Sequence, residues 1–336
     1  MNIPTGNIII SRTDAIGDVI LTLPLVGFLK KLNPNNKIIF LGRTYTKPII
    51  DTCIYVDHFI NWDEVNTLTE VDIILTFQRY SPKTILFVFP DKKIAQLAKK
   101  AAIPIRVGTA HRWYFWLYAN YKPFFSRRNS DLHEAQLNFQ LLKPFGEVPV
   151  LDEKNLHALT GLEKIKQLPE NLKLLIDPKK INIVLHPRSR GSSREWGVSN
   201  FEKLIHLLPS DRFKLYVTGT NAEGDSMPDL LKNLPDHCVD MTGKLSLDEL
   251  ISFINSCDGI VACSTGPLHI AAVLGKKAIG IYPPMRPLHP GRWKPLGPNV
   301  FVFCLEKICN DCKNGGSCNC IAQIQPEEIV KALEKR

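Results

Sequence analysis

Two doubly wound α/β domains are what this 336-residue sequence predicts. Three observations carry the prediction. The length suits two cores better than one. Short apolar runs alternate with helical patterns through both halves, the rhythm of parallel sheets covered by helices. Between the halves lies polar, lysine-rich sequence punctuated by Pro149, Pro169 and Pro178. The expected boundaries are a first domain over 1–165, a linker over 166–180, a second domain over 181–325, and a last helix over 326–336 packing back toward the first domain.

In chain order, Asn7–Ser11 reads as a strand, Gly17–Leu32 as a helix and Lys37–Leu41 as a strand. Ile54–Ile60, Val71–Phe77 and Thr84–Phe89 are further strand candidates, and Lys92–Ala101 is helical. Leu132–Pro144 places Leu137, Leu141 and Leu142 at helical spacing. The second series runs strand Ile181–His186, helix Asn200–Leu208, strand Phe213–Thr218 and helix Leu247–Ser256. Ser199-x-x-Glu202 and Ser246-x-x-Glu249 fit capping boxes at the two helix starts. Ile260–Cys263 is an apolar run suited to a strand buried on both faces. Ser264-Thr265-Gly266-Pro267 stops it and signals a new helix. That helix has no polar face from Leu268 to Leu274 apart from His269, so it must be buried, and strand Ala278–Tyr282 follows. Its exposed N–H groups and positive dipole end make Ser264–Leu268 a candidate phosphate site. Pro326–Lys335 is the final helix. Doubly wound domains bind ligands at the carboxyl ends of their strands.

Charge and cysteines narrow the class. The formal net charge is +9, and the stretch Lys99–Ser130 holds seven Lys/Arg with no Asp or Glu. A basic surface calls for an anionic partner, whether nucleic acid, a phosphorylated small molecule or a lipid surface. The first residues lack the basic-then-apolar plan of a signal peptide, and no apolar run reaches the roughly 18 residues of a spanning helix. A cytoplasmic protein is expected. Nine cysteines in that setting argue against a disulfide framework. Cys53, Cys238, Cys257 and Cys263 read as reduced packing residues. Cys309-x2-Cys312-x5-Cys318-x-Cys320 offers four thiols within 12 residues. That set suits a structural tetrahedral zinc, with Gly315-Gly316 letting the loop turn round it.

Three blocks then line up: Ser11-Arg12-Thr13-Asp14-Ala15-Ile16-Gly17-Asp18, His186-Pro187-Arg188-Ser189 running on to Arg194-Glu195-Trp196, and Ser264-Thr265-Gly266-Pro267-Leu268-His269. In this order and spacing they resemble the family 9 glycosyltransferases, the ADP-heptose–lipopolysaccharide heptosyltransferases. His133 with Asn138, Leu141 and Leu142 is similar to that family's mid-chain helix. The resemblance implies a GT-B architecture, two Rossmann-like domains facing across a cleft, with the acceptor on the first and the sugar nucleotide on the second. It also implies an inverting transfer that needs no metal or other cofactor.

Residue by residue, the resemblance makes Asp18 the general base, beside Gly17 in the acceptor half. A positioned carboxylate can take the proton of the attacking hydroxyl. A place in the first helical turn favours the ionised carboxylate and so predicts a weak base; on its own Asp18 reads as a dipole-complementing acid, with Asp14 as its rival. Arg194 stands where the family has a lysine at the departing diphosphate, and Arg brings a two-pronged donor set. Ser189 is a further phosphate contact. Thr265, Gly266 and His269 fall on the nucleotide diphosphate site, Ser264 replaces an aspartate common there, and Glu223 resembles a glutamate that contacts the ribose. Between Arg106 and Arg128 eight aromatic residues interleave with Arg112, Lys122, Arg127 and Arg128. Such a surface suits an anionic, lipid-linked acceptor at the inner face of the inner membrane, with Arg112, Arg127 and Arg128 as its contacts. The rival readings are a GT-B transferase of another nucleotide sugar, a non-catalytic GT-B scaffold, and a nucleic-acid-binding protein, which predicts salt-sensitive oligonucleotide binding without turnover.

Overall fold

The computed structural model describes residues 3, 5–127, 130–189, 191, 193–305, 309 and 319–335. The chain divides into two compact units, Met1–Lys164 and Ile165–Arg336. Each is a parallel sheet with helices packed on it.

The first sheet has five strands: β1 (Asn7–Ser11), β2 (Ile38–Gly42), β3 (His58–Asn61), β4 (Pro82–Phe87) and β5 (Ile105–Val107), in the order β3-β2-β1-β4-β5. Ile8, Ile9 and Ile10 pair with β2 on one side and β4 on the other, so β1 is central. Ile9, Leu41, Phe77, Ile85 and Phe115 build the core on one of its faces. The strand order reverses beside β1, which puts the loop after Ser11 at the switch point where such sheets bind ligands.

Three expectations fail here for identifiable reasons. Val71–Phe77 is not a strand but part of helix Glu70–Arg79, whose first turn is capped by Thr69. Its odd-numbered apolar residues satisfy period two. The helix instead buries Ile73 and Phe77, four apart, and leaves Val71 and Leu75 64% and 55% exposed. The helix expected over Gly17–Leu32 is two, Ile16–Ile20 and Leu23–Leu32. Pro24 has no N–H to give Ile20, so a continuous helix would lose a bond and clash there. The helix over Leu132–Pro144 is α-helical only from Glu134 to Phe139 and tightens to a 3₁₀ turn over Gln140–Phe145, around Pro144.

The second sheet has six strands: β6 (Ile181–His186), β7 (Phe213–Val217), β8 (Cys238–Asp240), β9 (Gly259–Cys263), β10 (Lys277–Tyr282) and β11 (Val300–Cys304), in the order β11-β10-β9-β6-β7-β8. Sequence reading missed β5, β8 and β11, all of five residues or fewer. Helix Gly266–Val273 is buried from Pro267 to Val273, as its apolar circumference requires. Ser246 and Glu249 form the expected capping box. Ser199 does not cap. Helix Val198–Leu207 begins behind Gly197, at φ +103°, and Ser199 lies inside its first turn.

The last helix, Pro326–Glu334, packs on the core of the second unit. Ile329, Ala332 and Leu333 join Phe201, Leu204 and Phe213 in one apolar cluster. Residues 166–180 fall in the second unit, where a short helix, Glu170–Lys173, buries Leu172 and Lys166 pairs with Asp248 at 2.7 Å. Among the described residues no helix is long and apolar enough to cross a membrane.

Candidate active site

In the first unit the chemistry gathers where β1 ends. Arg12 follows the strand directly and is 3% exposed. A guanidinium so buried needs partners for its fork of donors, and it has three carboxylates. Nε donates to Asp14 Oδ1 at 2.6 Å, Nη1 to Glu134 Oε1 at 3.3 Å, and Nη2 to Asp18 Oδ1 in a short contact. Burial works against the charge on Arg12, yet Asp14, Asp18 and Glu134 together raise its pKa. Thr22 Oγ1 donates to the Asp18 carbonyl at 2.9 Å, and Asn138 Nδ2 donates to Leu21 O at 2.9 Å, tying the two broken helices to helix Glu134–Phe139. Tyr45 donates its hydroxyl to the Asp14 carbonyl at 2.5 Å.

The Asp18 carboxyl titrates higher than its place in a first helical turn suggests. Burial is the largest influence on its carboxyl; Arg12 pulls its pKa down, Asp14 and Glu134 push it up, and the outcome is a pKa of about 6. The helix behind it is five residues long, so little dipole opposes this. Burial raises the Asp14 pKa as well. Gly17 sits between these acids in the same turn.

Arg127, expected to contact the acceptor, is largely engaged within the fold. Nη1 pairs closely with Glu134, and Nη2 donates to Asn138 Oδ1 at 3.0 Å and to Val88 O at 3.2 Å. Glu134 is 1% exposed, so this pairing secures a buried charge. Arg112 is exposed. Arg128 lies outside the described residues. Neither Arg12 nor Glu134 was singled out as a site residue from sequence. A signal existed for Arg12, an arginine at the end of a strand buried on both faces; Glu134 offered none, being joined to it only by the fold.

In the second unit the strand order reverses between β6 and β9, and the loops after these two strands carry Ser189, Arg194 and the Ser264–His269 stretch, while Glu223 follows β7. Thr265 caps helix Gly266–Val273 by position, yet its side chain makes no capping bond. Its hydroxyl is buried with no hydrogen-bond partner among the described residues. His269 is 2% exposed on the same helix. Ser264 contacts the buried hydroxyl of Tyr282, which also donates to Trp293 O at 3.0 Å. After β6, the Ser189 N–H and hydroxyl reach Glu195 Oε1 at 2.8 and 3.1 Å, and Arg188 pairs with the other oxygen at 2.9 Å. Arg194, half-buried, is next to this clamp. Trp196 anchors the loop: its N–H donates to Cys263 Sγ at 3.2 Å and its indole to Ile324 O at 2.9 Å.

Glu223 is 7% exposed and closes a capping box that sequence did not flag, taking bonds from Thr220 N at 2.7 Å and Thr220 Oγ1 at 3.0 Å through Oε2. It lies near His186, which is 8% exposed, meets Thr218 Oγ1 at 3.0 Å and has its pKa lowered chiefly by burial. Burial pushes the thiols of Cys53 and Cys263 up to about 11 and about 12, which makes them inert packing groups. Of the zinc candidates, Cys309 is half-buried and Cys320 buried; Cys312 and Cys318 lie outside the described residues. Among the described residues no group of three His, Cys, Asp or Glu side chains is arranged to hold a metal ion.

Comparison with known proteins gives the family and the fold. The model of glycosyltransferase family 9 (heptosyltransferase) matches residues 91–320. A Haemophilus influenzae protein whose name goes no further than glycosyltransferase is 28% identical over 301 residues, covering 86% of each chain. Lipopolysaccharide heptosyltransferase 1 of Campylobacter coli is 22% identical over 351 residues, covering 98% of each. The structure of E. coli heptosyltransferase WaaC with ADP superposes with a TM-score of 0.73 at 17% identity, covering 98% of this chain and 99% of that one. It shares the fold, two Rossmann-like units of the GT-B plan.

Proposed function

This chain belongs to glycosyltransferase family 9 and is a glycosyltransferase, and on that premise we propose that it transfers a heptosyl residue, with inversion, from ADP-heptose to a hydroxyl of a lipopolysaccharide inner core. The observation that carries the reading is Asp18: a partly buried carboxyl in the short helix that follows the central strand, with a pKa of about 6. It is ionised at neutral pH and still basic enough to accept a proton. The acceptor oxygen attacks the anomeric carbon as Asp18 takes its proton. The bond from that carbon to the diphosphate oxygen breaks, and its electron pair leaves with ADP.

The leaving charge falls to the second unit. Thr265 offers a buried hydroxyl, the N–H groups of Gly266 and Leu268 stand at a helix start, and Arg194 adds a cation; fixed donors of this kind stabilise developing charge. Ser264 in place of an acid keeps a negative charge away from the diphosphate. Ser189 and His269 border the same turn, and Glu223 takes the ribose through the carboxylate oxygen its cap leaves over. Relatives named for lipopolysaccharide heptosyl transfer and for ADP support the donor and acceptor. No step uses a metal; Cys309, Cys312, Cys318 and Cys320 are proposed as a structural zinc set, on the cytoplasmic side of the membrane where thiols stay reduced.

Asp18→Asn tests the reading. Loss of the base lowers kcat by roughly a hundred- to ten-thousand-fold while ADP binding, measured by calorimetry, stays as in the wild type. An Asp18→Asn protein that retains its kcat sinks the mechanism, and ADP release across a panel of ADP-, UDP- and GDP-sugars tests the donor separately.

A further inference from the structure

We propose that the face of the first unit around Trp116 and Phe124 docks on a membrane surface carrying anionic phospholipid. This assigns to the bilayer surface itself the stretch expected from sequence to contact a lipid-linked acceptor, and it does not depend on which sugar is transferred.

The backbone builds the face. Gly108 N donates to Tyr121 O and Ala110 N to Pro123 O, each at 3.1 Å, so the segments around 108–111 and 121–124 run side by side. The short helix Phe115–Tyr118 closes over them. Phe115 is wholly buried against Phe87, ring centroids 5.1 Å apart, and this fixes the helix's orientation. Its neighbours must then point outward: Trp116 is 63% exposed and Leu117 56%, with Trp113 at 64% and Phe124 at 73%. The indole N–H of Trp116 is held by Ala110 O at 3.1 Å, and His111 lies against Phe124 at 4.5 Å between rings. Large apolar side chains so exposed and so close together mark an interaction surface.

Charge identifies the partner. Lys92 stands over Trp113 at 5.0 Å and Lys122 over Trp116 at 5.4 Å. Lys99 reaches Leu117 O at 3.0 Å and Arg112 is exposed on the same segment, whereas Arg127 and Lys100 are taken up by Glu134 and Glu70. A second copy would set this charge against itself. Single-stranded nucleic acid would need open ring faces for stacking, and Lys92 and Lys122 already cover one face of each Trp. Rings at headgroup depth with lysines reaching past them toward anionic lipid phosphates satisfy both features together.

Cosedimentation of the full chain with vesicles of phosphatidylcholine, with or without phosphatidylglycerol, tests the proposal. The protein should partition onto the anionic vesicles, less so as salt rises. Trp116→Ala/Phe124→Ala should weaken partition by roughly tenfold or more, with Trp116→Phe recovering most of it and Arg112→Gln/Lys122→Gln weakening it independently. All of these side chains lie on the surface, and an unchanged melting temperature checks the fold. Equal partition of wild type and the double variants overturns the proposal, as does partition that ignores phosphatidylglycerol. Trp116-dependent binding of a single-stranded oligonucleotide, or a Trp116-dependent dimer in sedimentation velocity, overturns it if vesicles are not bound.

Discussion

Replacing Glu134 by Gln should move the acid limb of the pH–rate profile to lower pH. Five side chains form the cluster: two arginines, Arg12 and Arg127, against three carboxylates, Asp14, Asp18 and Glu134, one negative charge in excess when all are ionised. Burial holds the Asp18 pKa at about 6, with Glu134 adding to it. The Glu134→Gln amide keeps an oxygen for both guanidinium groups but removes the charge, so the Asp18 pKa falls. For two carboxylates bridged by one guanidinium, about 7 Å apart at an effective dielectric near 20, the interaction is about 2 kcal/mol, or roughly 1–2 pH units. Asp18 is then ionised at more acid pH. With a limb moved from about 6 to about 5, activity at pH 5 relative to the plateau rises roughly fivefold. The plateau itself drops modestly, because a weaker base accepts the proton less readily. ADP release followed as kcat/KM from pH 5 to 8 reads both. A limb that stays put, or climbs, refutes the electrostatic account of Asp18.

Two further variants separate function from packing. Thr265→Val removes a hydroxyl that is buried and unbonded, so stability should hold or rise by about 1 kcal/mol while ADP affinity falls roughly tenfold; unchanged ADP affinity removes Thr265 from the phosphate site. Ser246→Ala should lower stability by about 1 kcal/mol, and Ser199→Ala by less than about 0.5 kcal/mol, since only the first of the two closes a capping box. Urea unfolding decides that comparison.

Much of this molecule is legible in the sequence where one local rule decides. Ile260–Cys263 has no polar face as a strand, and Leu268–Leu274 has almost none as a helix, so both had to be buried and joined by the Ser264–Pro267 turn. Val71–Phe77 misled because its apolar residues satisfy two periods, and tertiary packing of Ile73 and Phe77 chose between them. Ser199-x-x-Glu202 misled because Gly197, free to take a positive φ, starts the helix earlier. At the site, the Gly17-Asp18 turn was visible, but its proton affinity was not: Glu134 reaches Arg12 across 122 residues of sequence, and burial outweighs the helix dipole.

The Arg12 cluster, residues 12 to 138, closes entirely within the first unit, and the Thr265 turn with the loop after β6 belongs entirely to the second. The surroundings of Asp18 and of Thr265 are therefore built by separate stretches of the chain. On the function proposed above, substitutions around the Thr265 turn can change which sugar nucleotide is taken without touching the side chains that set the proton affinity of Asp18.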